Sequence, residues 1–133
     1  MSYRAKVFLS GGFKSNWQAN VIGLLKDYFI FFNPLEHELE HSEFYTIWDI
    51  HFLKECDIFF AYMEDSNPSG YGLSFELGVA YALNKTIILI DEKSQVNDTF
   101  AKYFKILYKP SGVVLNNLSD GIDYLKKFSV NTL

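Results

Sequence analysis

Two carboxylates with apolar neighbours are the residues of this sequence best suited to chemistry. Glu76 lies in the stretch GYGLSFELGVAYAL, and its neighbours at helical spacing are small or apolar: Gly72, Leu73, Val79 and Ala80. Asp49 lies in FYTIWDIHFLKE, where most side chains three or four positions away are bulky and apolar: Tyr45, Thr46, Phe52 and Leu53. Such a pair suits glycosyl chemistry, because one carboxylate attacks or shields a cationic sugar carbon while the other handles a proton.

Both carboxylates also have an ordinary explanation. Glu76 would then be a first-turn carboxylate at a helix rim, where the helix N-terminus stabilises a negative charge by roughly 0.3 to 1 kcal/mol. Asp49 would be a partly exposed helix charge. Gly78 favours the functional explanation, since glycine inside a helix costs about 1 kcal/mol relative to alanine and usually indicates close packing of a helix on a strand. We therefore expect such packing at Gly78 and a site carboxylate at Glu76.

Hydrophobic periodicity alternates along the chain between strand-like and helix-like segments. The pattern predicts strands over residues 6–10, 29–32, 57–62, 86–90 and 113–115. It predicts helices over residues 17–28, 42–55, 73–83, 96–108 and 120–128. No linker or internal repeat interrupts the alternation, which predicts one domain over residues 1–133. The expected fold class is an α/β three-layer sandwich, with a flavodoxin- or Rossmann-like parallel sheet of about five strands and helices on both faces.

In sheets of this kind ligands bind beyond the carboxyl ends of the strands, near the topological switch point. This rule selects three loops, at residues 10–16, 63–71 and 91–93. The candidate substrate-binding residues in and beside the first two loops are Ser10, Gly11, Gly12, Phe13, Lys14, Ser69, Gly70, Tyr71 and Gly72. The helix that carries Glu76 follows the second loop, so Glu76 is expected to point toward the crevice.

Composition and charge argue against several classes of function. The net charge is −4 and no basic cluster is longer than Lys126-Lys127, which argues against polymeric nucleic acid as a partner. The apolar runs are too short to span a bilayer and the first residues lack a signal-peptide pattern, so we expect a cytoplasmic protein without membrane contact. The single cysteine, Cys56, has no partner for a disulfide or a metal and is expected to be buried. No cofactor and no metal are expected.

A competing motif lies at His37-Glu38-Leu39-Glu40-His41, which fits H-E-x-x-H. On a helix this spacing places two imidazoles on one face around zinc, with the glutamate as base. However, Glu40 is charged where such zinc proteases keep an uncharged residue, no convincing third ligand follows, and the flanks are acidic. We therefore interpret residues 36–43 as a solvated acidic segment, and His51 as a structural histidine.

The segment WDIHFLKECDIFFAYMEDSNPSGYGLSFELGVAYALNKTIILID resembles the nucleoside 2-deoxyribosyltransferase family, including the related 2′-deoxynucleoside 5′-phosphate N-hydrolase. The shared features are an Asp eight residues before a D-I-x-x-A strand, a loop that ends in glycine, an ELG helix start, and A-x-x-x-N-K before the next strand. With KVFLSGGF at the N-terminus, the resemblance spans residues 5–91. It implies that Glu76 is the nucleophile that attacks C1′ and that Asp49 is its acid/base or orienting partner. A desolvated, dipole-stabilised Glu76 is expected to stay ionised.

The loop SGGFKSN is similar to the phosphate-binding loop of the N-hydrolase, with Lys14 where that enzyme carries an arginine. Glycines allow backbone N–H groups to approach an anion, and Lys14 would neutralise it. Ser69 resembles a loop serine of the same enzyme that contacts the 5′-phosphate, although the loop here is one residue longer. The alternatives are a solvated loop cation at Lys14 and a plain turn serine at Ser69.

The sequence also departs from the family pattern. The first strand of the family carries a tyrosine that helps to position the nucleophile, and Val7 or Phe8 occupies that place here. The aspartate that meets the base in the transferase has no clear equivalent, since Gly70 falls near its position. Tyr71 is a candidate to supply the missing phenol or to stack on a base.

Two classes of function remain open. The first is an enzyme that cleaves or exchanges the N-glycosidic bond of a 2′-deoxynucleoside, of its 5′-monophosphate, or of another N-glycoside such as NAD. The second is a non-catalytic nucleotide-binding module. The expected partner is a small nucleoside or nucleotide. Because the chain has nine Tyr and thirteen Phe, with aromatic residues around the helix predicted over residues 42–55, we also expect a homodimer or a larger homo-oligomer.

Overall fold

The computed structural model describes residues 4–66 and 70–130. Five parallel strands form one sheet in the order β2-β1-β3-β4-β5. The strands are Lys6–Gly11 (β1), Ile30–Phe32 (β2), Ile58–Met63 (β3), Thr86–Asp91 (β4) and Val113–Leu115 (β5). The helices are Trp17–Leu25 (α1), Ser42–Glu55 (α2), Tyr71–Ala82 (α3), Lys93–Val96 (α4), Asp98–Phe104 (α5), Tyr108–Ser111 (α6) and Leu118–Lys126 (α7). The predicted fold class is confirmed.

The central strands are apolar along their whole length because helices cover both faces of the sheet. All six residues of β3 and five of the six in β4 are buried. On one face, the core residues contributed by α1 and α7 are Trp17, Val21, Leu25 and Leu125. On the other face, those contributed by α2 and α3 are Leu53, Leu73, Leu77 and Ala80. The two helices that carry the candidate carboxylates therefore lie side by side on one face.

The strand order places the topological switch point between β1 and β3. The chain leaves β1 through α1 to reach β2, and then returns through α2 across β1 to reach β3. Because the two connections cover opposite faces, the carboxyl ends of β1 and β3 border a crevice. The last residues of β1, Ser10 and Gly11, lie at this crevice.

The helices after β4 differ from the prediction of one helix over residues 96–108. Asn97 adopts an extended conformation, with φ −146° and ψ 103°, and its side chain accepts a hydrogen bond from the Phe100 N–H. This cap ends α4 and starts α5. Asn117 likewise caps α7 by accepting from the Asp120 N–H, so that this helix begins at Leu118 rather than at residue 120.

The prediction of close packing at Gly78 is wrong. Gly78 is exposed, and a Cβ added there would meet nothing within 4 Å. Gly121 on α7 is the helical glycine that does permit a close approach, because its Cβ would lie 2.6 Å from Ile90 Cδ1. In addition α3 begins at Tyr71, so Glu76 lies in its second turn and not in the first.

The structure also bears on three further expectations, which concern membrane-spanning helices, Cys56 and the aromatic residues of α2. Among the described residues, no helix combines the length and the apolar character needed to cross a membrane. Cys56 is buried as expected, and its thiol donates to the Leu53 carbonyl. Two of the aromatic side chains of α2 pack inward, since the Trp48 ring lies 4.5 Å from the Phe52 ring and 6.3 Å from the Phe8 ring.

Candidate active site

A cavity of about 450 Å³ opens beyond the carboxyl end of β1. Its lining residues come from the loop after β1, from the segment after β2, and from α2 and α3: Ser10, Gly11, Gly12, Phe13, Lys14, Pro34, His37, Leu39, Tyr45, Asp49, Gly72, Leu73 and Glu76. Both candidate catalytic residues and six of the nine candidate substrate-binding residues are among them. The sequence motifs separated by more than sixty residues thus meet at one place.

Ser10 connects the sheet directly to Glu76. The Ser10 hydroxyl donates a hydrogen bond of 2.6 Å to Glu76 Oε1, and Ser10 is 2% exposed. Val7 and Phe8, which stand where the family carries its tyrosine, are both fully buried in the core. The hydrogen bond that orients Glu76 therefore comes from a serine two or three positions further along β1.

Asp49 and Glu76 meet because α2 packs against α3. Their carboxyl groups share a hydrogen bond. Oδ1 of Asp49 is buried and, among residues 4–66 and 70–130, has no hydrogen-bond partner. Buried polar atoms normally have a partner, so Oδ1 is an unsatisfied acceptor of a residue that lines the cavity.

Burial controls the protonation of the pair. Desolvation raises the pKa of Glu76 to about 8, the Ser10 hydroxyl opposes the rise, and the neighbouring charge of Asp49 adds to it. The pKa of Asp49 is also raised by desolvation, while its hydrogen bond with Glu76 and the proximity of His37 oppose the rise. Two adjacent carboxylates cannot both ionise readily, so the pair holds one proton near neutral pH, mainly on Glu76.

The expectation of an ionised, dipole-stabilised Glu76 is therefore wrong for the free site. The effect of the helix N-terminus falls off within the first turn, and Glu76 lies in the second turn of α3. Desolvation is the larger effect at this position.

The loop after β1 is fixed by its contacts with α1. The Gly12 carbonyl accepts hydrogen bonds from Trp17 Nε1 and from Gln18 Nε2, both at 3.0 Å. Gly11 must be a glycine because a Cβ there would lie 2.7 Å from both Trp17 Cζ2 and the Tyr62 carbonyl oxygen. Phe13 and Lys14, which follow, are exposed and line the cavity.

The second predicted loop contributes less to the cavity than expected. Gly72 lines it, but Gly70 and Tyr71 do not. Gly70 packs against the Phe104 ring, which a Cβ would approach to 2.5 Å, and Tyr71 is 90% exposed. Ser69 lies outside the described residues.

The wall formed after β2 was not predicted, and its members are Pro34, His37, Leu39 and Tyr45. The sequence does carry a signal for this wall, because β2 is followed by Asn33-Pro34 and ligands bind beyond the carboxyl ends of parallel strands. In the neutral ring, His37 Nδ1 accepts a hydrogen bond of 2.8 Å from the Leu39 N–H and Nε2 carries the proton. The His37 ring packs edge-on against Trp48 at 4.9 Å.

The H-E-x-x-H segment does not form a helix. Residues 37–41 precede α2, and Glu38 has a positive φ of 54°. The two imidazoles consequently do not share a helix face. No group of three or more potential metal ligands occurs within the described parts of the chain.

The chain is an α/β protein with a parallel sheet. A hydrogen-bonded carboxyl pair lies in the crevice at the switch point of that sheet. The sequence profile of a family described as "Nucleoside 2-deoxyribosyltransferase like" matches residues 4–94. The chain therefore belongs to the nucleoside 2-deoxyribosyltransferase-like family, which confirms the predicted family and enzyme class. No curated protein has a significantly similar sequence.

Solved structures share this fold. The "2-desoxiribosyltransferase from Leishmania mexicana" has 18% identity and a TM-score of 0.73, with 95% of this chain and 99% of that one covered. A conserved protein from Enterococcus faecalis V583 has 15% identity and a TM-score of 0.72, with coverages of 94% and 99%. The CMP N-glycosidase BcmB from Clostridium botulinum has 22% identity and a TM-score of 0.60, with coverages of 92% and 99%.

The raised pKa of Glu76 predicts a specific pH dependence of stability. Its folded pKa of about 8 exceeds its ordinary value of 4.5, so the stabilisation of the protonated folded state is complete below the lower value and is lost as pH rises through the higher one. Glu76→Gln removes this titration, and should make the variant more stable than wild type well above pH 8 by on the order of 5 kcal/mol. Urea unfolding at several pH values measures the difference. Glu43→Gln, at an exposed position of α2, should keep the wild-type dependence, and identical pH profiles for wild type and Glu76→Gln would contradict the prediction.

Proposed function

We propose that this protein cleaves or exchanges the N-glycosidic bond of 2′-deoxynucleosides through a covalent glycosyl-Glu76 intermediate. The observation that carries the proposal is the hydrogen-bonded pair of Asp49 and Glu76 in the cavity, with Ser10 holding one oxygen of Glu76. Membership of the family supports the type of bond. The fold likeness to a 2-desoxiribosyltransferase and to a CMP N-glycosidase is consistent with it.

The carboxyl pair contains the components that the reaction needs. In the proposed first step the shared proton moves from Glu76 to Asp49, and the Ser10 hydroxyl stabilises the Glu76 carboxylate. A Glu76 oxygen then bonds to C1′ as the bond from C1′ to the base nitrogen breaks. The base leaves with that electron pair and accepts the proton from Asp49.

The second step reverses the roles of the two residues. A water molecule or a second base loses a proton to Asp49 and attacks C1′, and the bond from C1′ to Glu76 breaks. Contact between the two carboxyl groups favours this covalent route over direct displacement, because a direct route needs carboxyl groups far enough apart to hold a water molecule between them. Exchange and hydrolysis then differ only in the acceptor.

The chemistry of the cavity walls suggests how the substrate lies. The wall after β2 offers apolar and ring surfaces from Pro34, Leu39 and Tyr45, together with the Nε2–H of His37. A flat base with hydrogen-bond acceptors fits this wall. The loop of residues 11–14 offers backbone groups and a lysine, which suit the oxygen at the 5′ end of the sugar.

Lys14 supports a second candidate function, which is the same reaction on a 2′-deoxynucleoside 5′-monophosphate or another nucleotide such as NAD. Lys14 lines the cavity next to the glycines of the loop. The free nucleoside remains the preferred substrate in our proposal, because Gly12 replaces a second phosphate-loop serine of the related hydrolase. A non-catalytic nucleotide-binding module on the same fold is the remaining alternative.

Glu76→Ala should lower turnover by several orders of magnitude, because no neighbouring group can replace a covalent nucleophile. Wild type and variant are incubated with 2′-deoxynucleosides, their 5′-monophosphates and NAD, with and without an acceptor base, and the products are separated by chromatography.

Asp49→Asn should lose nearly as much activity if Asp49 transfers the proton, and less if it mainly orients Glu76. Glu43→Gln is the control on α2. A Glu76→Ala variant with more than about a tenth of the wild-type rate would disprove the nucleophile assignment.

Lys14→Ala distinguishes the two substrate classes. A charge-assisted contact to phosphate contributes roughly 1.5 to 3 kcal/mol, or a factor of about ten to a hundred in kcat/KM. For the proposed nucleoside enzyme, the ratio of kcat/KM for nucleotide and nucleoside should be similar in wild type and in Lys14→Ala. Lys26→Ala, at an exposed lysine after α1, is the control. A large wild-type preference for the monophosphate that collapses in Lys14→Ala would favour the phosphate substrate instead.

The outer face of α2 supports the proposal of a homodimer or a larger homo-oligomer. Phe44 is 55% exposed and Ile47 is 69% exposed, although Trp48 and Phe52 pack inward. Burial of two such side chains by a second copy would contribute several kcal/mol, at about 25 cal/mol per Å². Light scattering at assay concentration should therefore show a dimer or larger species, and Ile47→Glu should shift it toward the monomer. A fully active wild-type monomer would contradict this proposal.

A further inference from the structure

The Gly12 carbonyl accepts two side-chain hydrogen bonds, one for each of its lone pairs. Trp17 Nε1 and Gln18 Nε2 both donate to it at 3.0 Å, and the two side chains are 4% and 0% exposed. Both lone pairs of this buried carbonyl are therefore used inside the protein. Two donors that converge from different directions also fix the orientation of the peptide plane.

Gln18 carries a cost that a purely structural contact does not explain. Its Oε1 is buried and has no hydrogen-bond partner among the described residues. The amide cannot be turned round to relieve this, because Oε1 would then face the Gly12 carbonyl oxygen and Nε2 is the only donor of the side chain. The hydrogen bond from Gln18 Nε2 to the Gly12 carbonyl therefore forms at the cost of a buried Oε1 without a partner.

The orientation of the Gly12 carbonyl determines where the next N–H points. The described residues contain no cis peptide bond, so the Phe13 N–H points away from the Gly12 carbonyl. The carbonyl faces Trp17 and Gln18, which do not line the cavity, whereas Gly12 and Phe13 do. The Phe13 N–H therefore points away from Trp17 and Gln18, and within residues 4–66 and 70–130 no group accepts a hydrogen bond from it.

We propose that Trp17 and Gln18 are positioning residues that aim the Phe13 N–H at an oxygen acceptor on the 5′ end of the substrate sugar, either a hydroxyl or a phosphate. The inference rests on the proposed function and on the substrate orientation given above. A clamp is needed at this position because Gly12 lacks a Cβ, so that its peptide plane can rotate with little steric hindrance. The two side chains act on the substrate only through this plane.

Gln18→Met tests the clamp, because it keeps the length of the side chain and removes the donor. It also removes the unpaired Oε1, so the loss of stability should be small. Gln95→Met is the matched control, since Gln95 Nε2 also donates to two backbone carbonyls, those of Asp91 and Asn116, but does not line the cavity. Trp17→Phe, which removes the indole N–H and keeps a ring, is the second variant if Gln18→Met does not fold.

Three substrates with the same base separate the outcomes: a 2′-deoxynucleoside, its 5′-monophosphate, and the 2′,5′-dideoxynucleoside, which lacks the 5′ oxygen. For a hydroxyl acceptor, Gln18→Met should lower kcat/KM about three- to tenfold with the nucleoside, and for a phosphate acceptor roughly ten- to a hundredfold with the monophosphate. With the dideoxynucleoside, Gln18→Met and Gln95→Met should both match wild type. The substrate that shows the larger loss identifies the acceptor.

An equal loss with all three substrates, or no loss with any, would overturn the clamp while the proposed function stands. If wild type converts none of the substrates, the proposed function itself fails, and the inference fails with it. A merely structural role of Gln18 predicts the equal loss, because a displaced loop would affect substrates with and without the 5′ oxygen alike.

Discussion

Burial of the central strands on both faces is the constraint from which the site arises. β3 and β4 are too apolar to leave a face in water, so the connections between parallel strands must supply helices to both sides. The chain meets this requirement by crossing first to β2 and then back over β1 to β3. The crossing brings α2 and α3 together on one face and opens the crevice above β1. Because α2 and α3 cover the same face of the sheet, the carboxyl groups of Asp49 on α2 and Glu76 on α3 meet at this crevice.

Burial of the Asp49 and Glu76 carboxyl groups costs folding free energy and also changes their protonation. Removing a carboxyl group from water favours its protonated form, and two carboxyl groups in contact oppose each other's ionisation. Asp49 and Glu76 relieve both costs by sharing a proton, and Ser10 limits the rise in the pKa of Glu76. The result is a pair whose proton can move between two oxygens without water. In the reaction proposed above, this pair is the source of both the acid and the nucleophile.

Hydrogen bonds and ring contacts hold both ends of the cavity in place. The loop after β1 is held by Trp17 and Gln18 from α1, while the wall after β2 is held by the His37 contacts with Leu39 and Trp48. These contacts involve elements on both faces of the sheet. A substrate that spans the cavity would thus be positioned by the whole fold and not by one motif.

The sequence by itself determined the strands of the sheet, most of the helices and the two candidate catalytic carboxylates. Periodicity located the five strands, and the apolar neighbours of Glu76 and Asp49 distinguished them from solvated charges, because both signals are local. Tertiary structure decided what depends on distant segments. It decided that Ser10 and not a tyrosine holds Glu76, that His37 lines the cavity, and that Gly78 is exposed. It also decided the protonation of the pair, since desolvation depends on how closely α2 and α3 pack, which no local pattern in the sequence records.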